Sequence, residues 1–245
     1  MSLTSPFGRA PFEARGGEFD FTPPERVRYW EPWPRRMRAV RAGETVLDSR
    51  RGVLLWESGN FPAFYYPLED VRQDLLGEEH TSTSPRDPEG EELLRGYVAL
   101  DDRAVDRWFE EDDAVYAHPR DPYHRVDVRS SSRQVVVRAG GQVVADSERP
   151  KLLFETGNPI RYYLPLVDVR TDLLTESETV SQCPYKGEGQ HWHLAAGDEH
   201  VEDAGWSLPH PLPEGIAAAQ HICFYPDKVD VAVDGERVPG DFDFD

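Results

Sequence analysis

The sequence predicts a mainly β chain: two homologous small domains of mostly antiparallel strands, with short helices. Three observations predict it. First, the block Asp48–Leu76 returns without a gap as Asp146–Leu174, at a constant offset of 98, with 17 of 29 positions identical. A period near one hundred residues is too long for a solenoid unit and suits a duplicated domain. Second, short runs of period-two alternation recur at matching places in the two copies. Third, helical periodicity is nearly absent outside one stretch.

In chain order, residues 1–34 carry Pro, Gly and scattered aromatics and read as an irregular arm. The first repeat, 35–132, opens with Arg38–Arg41, Gly43 and Thr45–Leu47, a hairpin. The second, 133–238, opens with its echo, Val135–Arg138, Gly140-Gly141 and Val143–Ala145. Val53–Glu57 and Lys151–Glu155 are apolar runs that end at glycine turns and read as strands. Pro67–Arg72 fits one helical turn with proline at its first position. Arg125–Arg129 and Lys228–Val233 are expected to close the two repeats as strands, with the boundary near Ser130-Ser131-Ser132. Pro213–His221 is the one good helix candidate. Residues 239–245 form a short acidic tail.

Composition narrows the function. A hydrophobic share of 38% is enough for a packed core, so the chain reads as globular. A formal charge of −19 leaves no basic face for a nucleic-acid backbone and disfavours an anionic membrane surface. No apolar run is long enough to span a bilayer and no charged-then-apolar leader opens the chain, so the expected location is the cytoplasm. Cys183 and Cys223 are the two cysteines and form no C-x-x-C pair, which excludes a four-thiolate zinc site within one chain.

The polar identities shared by both copies include Glu57/Glu155, Asn60/Asn158, Tyr65/Tyr163, Asp70/Asp168, Arg72/Arg170 and Asp74/Asp172. Neighbouring apolar positions drift, as packing permits and donor–acceptor geometry does not. A hydrogen-bond network that defines the fold would leave the same pattern as a ligand site. The stretch Ser181–Gly187 adds a cysteine three residues before a lysine within a Pro/Gly turn. The ammonium can lower the thiol pKa, giving a nucleophile with its charge partner. The first repeat offers Ser84-Pro85-Arg86-Asp87 at that place, without thiol or ammonium. His191 and His193 share one strand face and raise a transition-metal alternative, although their spacing matches no compact ligand motif.

Several of these pieces together resemble a known family. They are Tyr163/Asp168/Arg170, Cys183-Pro184-Tyr185-Lys186-Gly187, Ala204-Gly205-Trp206 followed by Pro209 and Pro211, and Phe224-Tyr225-Pro226. The second repeat is similar over nearly its whole length to the domain of unknown function 427 family, also labelled a nucleotidyltransferase domain. The first repeat resembles a degenerate member that keeps Tyr65, Asp70 and Arg72, with Trp108-Phe109 in place of Trp206. The resemblance implies a β-tent domain related to methionine sulfoxide reductase B. The zinc of that relative does not carry over, because the paired C-x-x-C motifs are missing. The nucleotidyltransferase label finds no Gly-Ser pair with clustered carboxylates for magnesium.

The leading expectation is a polar small-molecule pocket in each repeat, for an anionic or carbonyl-bearing ligand, with catalysis confined to the second. Cys183, Lys186, Tyr163 and Asp168 are the candidate catalytic groups. Arg170, Glu155, Asn158 and Trp206 are expected to bind substrate there, and Glu57, Asn60, Tyr65, Asp70 and Arg72 to line the first pocket. No cofactor or metal is required. The alternatives are a non-catalytic ligand- or protein-binding module and a metal-binding protein. Nothing in the sequence sets the oligomeric state.

Overall fold

The computed structural model describes residues 28–57, 60 and 62–240. The expected arm up to residue 27, the tail from 241 and Gly59 lie outside them. The chain forms two compact units that divide between Tyr123 and His124, and both are mainly β.

In the first unit, β1 (Arg28–Pro32), β4 (Val53–Glu57), β5 (Ala63–Pro67), β7 (Tyr97–Leu100) and β6 (Thr81–Thr83) form one sheet in that order. A second sheet runs β3 (Glu44–Ser49), β2 (Met37–Arg41), β8 (Arg107–Glu110), β9 (Asp113–Val115). The core between them holds Met37, Ala39, Leu47, Leu54, Tyr66 and Trp108. A single turn of α-helix, Gln73–Leu76, follows the 3-10 turn Leu68–Asp70.

The second unit repeats this plan and extends it. Its larger sheet runs β10 (Val126–Ser130), β13 (Lys151–Glu155), β14 (Arg161–Pro165), β18 (His221–Phe224), β17 (Glu199–Pro211), β16 (Gly187–Ala196), β15 (Leu174–Cys183). Its smaller sheet runs β12 (Gln142–Ser147), β11 (Val135–Ala139), β19 (Asp230–Val233), β20 (Glu236–Arg237). All strand pairs are antiparallel, so successive residues face opposite sides. Val135, Val137, Leu164, Ile222 and Val231 point into the core between the sheets. Leu153, Tyr163, Cys223 and Trp206 form a separate cluster on the other face of the large sheet.

Register extends the 98-residue offset beyond the sequence match. Val126 opposes Glu155 as Arg28 opposes Glu57. The strand expected to close the first repeat, Arg125–Arg129, therefore opens the second as β10, and β1 is its counterpart. Val231 opposes Val137 as Trp108 opposes Ala39. Trp108 thus corresponds to Val231, not to Trp206 as the local resemblance suggested. Thr83 opposes Val98, the partner of Tyr66, as Ser207 opposes Ile222, the partner of Leu164, so Ser82 takes the place of Trp206.

The first unit's sheet ends at β6, and among the described residues nothing there corresponds to β15 and β16. Ser84–Asp87 follows β6 and is not equivalent to Cys183–Lys186. The helix expected over Pro213–His221 is a 3-10 segment, Pro213–Ala218. Gly215 in the first turn lowers helix propensity, and the chain leaves helical geometry at Ala219, whose ψ is 142°.

Candidate functional site

Lys186 sits in the three-residue loop between β15 and β16, closed by the pair Cys183 and Gly187. Each residue of Cys183–Gly187 helps to place it. Pro184 opens the turn with a fixed φ. Tyr185 is buried and stacks on the His124 imidazole, ring centroids 4.1 Å apart. The Lys186 carbonyl accepts the Leu212 N–H at 3.0 Å. Gly187 has φ +98°, and a Cβ there would lie 3.0 Å from the His210 carbonyl oxygen, so any other residue would strain the β16–β17 crossing.

The ammonium so placed meets Glu155 at the end of β13. His124 Nε2–H donates to the same carboxylate at 3.0 Å. The three side chains are mostly buried, with Glu155 only 8% exposed, His124 12% and Lys186 18%. Burial pushes the Glu155 carboxyl up. The His124 hydrogen bond and the Lys186 charge outweigh it and hold the group below the usual carboxylate range. Glu155 is therefore an ionised anchor, and it orients a lysine and a histidine. Among the described residues Glu155 is the hydrogen-bond partner of the Lys186 ammonium, which leaves two of its three donors open. The Asn158 N–H closes the turn onto the Glu155 carbonyl at 3.1 Å.

Tyr163 belongs to the same sheet face, in a row that runs Lys151, Tyr163, Cys223, Trp206, His191 across five strands. Its hydroxyl accepts the Trp206 indole N–H at 2.9 Å. Burial raises the phenol well above its ordinary value, which keeps it protonated. The Arg161 guanidinium lies over the Trp206 ring at 5.3 Å, and Trp206 packs on Tyr225 at 4.4 Å. Cys223 is buried at the centre of this row. Cys183 is partly exposed at the base of the lysine loop.

Asp168 is placed differently. It ends the 3-10 turn Leu166–Asp168, where its carboxylate accepts Ser147 Oγ at 2.8 Å and a two-pronged hydrogen bond from Arg149 at 2.7 and 3.0 Å. The Arg149 hydrogen bond, against a small burial penalty and with help from Ser147, holds it below its ordinary pKa. Asp70 accepts Ser49 Oγ at 2.7 Å and a single hydrogen bond from Arg51 at 2.5 Å, while the other terminal nitrogen of Arg51 goes to Glu69. Arg170 and Arg72 are exposed and paired with Asp172 and Asp74, two residues on.

In the first unit Glu57 is bridged by Arg28 at 2.6 Å, and Asn60 Nδ2 donates to Glu57 at 3.0 Å. Tyr65 packs with Leu55 and Leu94. Both units thus hold a glutamate against a cation, but Arg28 comes from the first strand and Lys186 from the added hairpin.

His191 and His193 each have protein partners. His191 Nε2 meets Ser181 Oγ at 3.0 Å, and His193 Nδ1 accepts the Asp203 N–H at 3.1 Å. Among the described residues no three His, Cys, Asp or Glu side chains converge as a metal-holding group. Sequence reasoning missed His124, Ser147/Ser49 and Arg149/Arg51. The last two pairs are identical in both repeats, so the repeat itself carried their signal. His124 has no counterpart or motif that could have marked it.

The family described as Domain of unknown function (DUF427) matches residues 29–88 and 127–235, well over half of the chain. The two segments start 98 residues apart, as register requires. The chain belongs to the DUF427 family. No curated protein matches it. Within this DUF427 chain the first matched segment stops at residue 88, before β7, while the second takes in the lysine loop, Trp206 and β19. Among the described residues no helix is long and apolar enough to cross a membrane.

Proposed function

We propose that the second unit of this DUF427 protein acts on a small anionic or carbonyl-bearing molecule through Lys186. The observation that carries this reading is the ammonium itself. It is mostly buried, held in place by an ionised Glu155 that His124 also grips, and keeps two donors open. A preorganised cation in such a setting binds an oxygen acceptor more strongly than one in bulk water. Arg161, over Trp206 and Tyr225, supplies a second cation on the same sheet face.

Any covalent step falls to Cys183, the partly exposed thiol at the base of the loop. Asp168 and Arg170 hold their own turn together and support the unit rather than touch the ligand. The chain's acidic balance makes nucleic acid a poor partner and suits the cytoplasm.

Pyruvate, which is both anionic and carbonyl-bearing, is a suitable probe. Ligand-observed NMR on the full chain should show saturable binding that Lys186→Met weakens about tenfold or more and Lys186→Arg partly restores. Cys183→Ser should bind as the wild type does. Equal binding by a folded Lys186→Met variant would reduce the cluster to a structural ion pair like that of Arg28 and Glu57.

A further inference from the structure

Ser181 and His191 meet across β15 and β16, the two strands with no counterpart among the described residues of the first unit. His191 Nε2 lies 3.0 Å from Ser181 Oγ. A serine hydroxyl within hydrogen-bond reach of an imidazole is the pairing of a nucleophile with its base. Their exposures suit those roles. The imidazole is shielded, with His191 8% exposed, while Ser181 is exposed on the edge strand of the large sheet.

The strand pairing brings the two together through a glycine. Ser181 opposes Gly189, and a Cβ at 189 would lie 2.7 Å from Ser181 Oγ. Glycine therefore clears the way for the hydroxyl to reach His191, two residues further along β16. The Gly189 carbonyl lies 3.5 Å from the same Oγ, at the outer limit of a hydrogen bond, so the imidazole is the closer partner. The Trp206 ring borders this place, 3.7 Å from where that Cβ would stand.

Burial holds the His191 pKa below its ordinary 6.5, against the pull of the Asp203 carboxylate and with a smaller push from Lys228. The ring is neutral at pH 7.5 and free to take a proton. Its Nδ1 is buried without a hydrogen-bond partner, so Nε2 is the nitrogen through which it exchanges protons. Asp203 is held ionised by hydrogen bonds from Ser177 and from Thr179 Oγ1, the latter at 2.9 Å. Its charge favours the imidazolium that forms when the serine gives up its proton.

We propose that Ser181 is an acyl-accepting nucleophile, with His191 as its general base, that acts on a small carboxylic ester. Oγ bonds to the acyl carbon as Nε2 takes the hydroxyl proton. The bond from the acyl carbon to the ester oxygen then breaks, and His191 passes the proton to the departing alcohol. Water bonds next to the acyl carbon and gives a proton to Nε2. The bond to Oγ breaks, the carboxylic acid leaves, and that proton restores the hydroxyl. Neither Lys186 nor Cys183 takes part, so this activity stands apart from the ligand of Lys186.

The test treats the full chain at pH 7.5 with an alkyl fluorophosphonate, whose phosphorus bonds to a nucleophilic serine oxygen as fluoride leaves. Mass spectrometry should place a single phosphonyl group on Ser181, and Ser181→Ala should stay unlabelled. His191→Gln should slow the labelling about a hundredfold. If that variant is unstable, Asp203→Asn, which leaves Ser181 and His191 in place, should slow it about tenfold. Cys183→Ala should label as the wild type does. The wild type should also hydrolyse p-nitrophenyl acetate, and Ser181→Ala should not. The proposal is overturned if the wild type stays unlabelled or the label settles on another residue. Labelling of a folded His191→Gln or Asp203→Asn variant at the wild-type rate would make the contact a structural hydrogen bond, and would also overturn it.

Discussion

Lys186 meets the Glu155 carboxylate from 31 residues further along the chain, while in the first unit Arg28 meets Glu57 at 2.6 Å. The acid is common to both units and the cation comes from unrelated elements. A buried carboxylate needs a partner wherever it sits, because losing one leaves a charge in a poor solvent. Lys186→Met should therefore destabilise the second unit by about 3 kcal/mol. The double variant Glu155→Gln with Lys186→Met should recover much of that loss. Urea unfolding of the wild type, the two single variants and the double variant checks it, and additive losses would deny the coupling. The sign with pH follows from Glu155, whose folded pKa lies below its ordinary 4.5. Its contribution is present above about 4.5 and is lost as the pH falls through the lower folded value. Lys186→Met should flatten that acid limb.

Asp168 and Asp70 are each gripped by a serine and an arginine from the hairpin before them. The arrangement pins the 3-10 turn to the small sheet's hairpin in both units. Asp168→Asn should cost about 2 kcal/mol at pH 7, since it weakens charged hydrogen bonds without removing bulk. Arg149 keeps the folded pKa below 3.8, so the wild-type advantage holds above that pH and fades below it. Pyruvate affinity, measured alongside, should not change. A loss of affinity with intact stability would return Asp168 to the ligand site.

Much of this was legible in the sequence because duplication exposes it. The hairpins, the strand Lys151–Glu155 and the turn after Pro165 all follow from local pattern, and the DUF427 resemblance rested on a motif whose every residue proves to position Lys186. The shared polar residues proved harder to interpret. Two identical copies cannot separate a ligand contact from a bond that holds a turn, and Asp70/Asp168 show the second kind of geometry. Long-range register was also hidden. Trp108 aligned by spacing with Trp206, but the hairpin β15–β16 changes the chain length between equivalent strands, so spacing misleads after residue 76. His124 lies outside the matched segments and reaches Glu155 only because β10 pairs with β13.

The Trp206 indole N–H donates to the Tyr163 hydroxyl within a cluster that also holds Cys223 and Leu208. Tyr163→Phe keeps the ring and strands that donor, at a cost of about 1–3 kcal/mol. Adding Trp206→Phe removes the donor as well, so the double variant should lose less than the two single losses combined. Denaturant unfolding by circular dichroism checks this without relying on tryptophan fluorescence. Strict additivity would mean that the bond contributes nothing.

Asp102 gives the chain an unusual pH response in the first unit. Desolvation raises its folded pKa to about 6, above the ordinary 3.8. Between these values the folded state binds the proton more tightly than the unfolded one, so stability falls as the pH rises from about 4 to about 6. The cost then persists at neutral pH. Because the residue is exposed, solvent screening limits it to on the order of 1 kcal/mol. Asp102→Asn removes the titration, so it should stabilise the protein at pH 7.5 and change little at pH 4. Thermal unfolding at the two pH values checks the difference. An equal gain at both would trace the effect to shape or hydrogen bonding rather than charge.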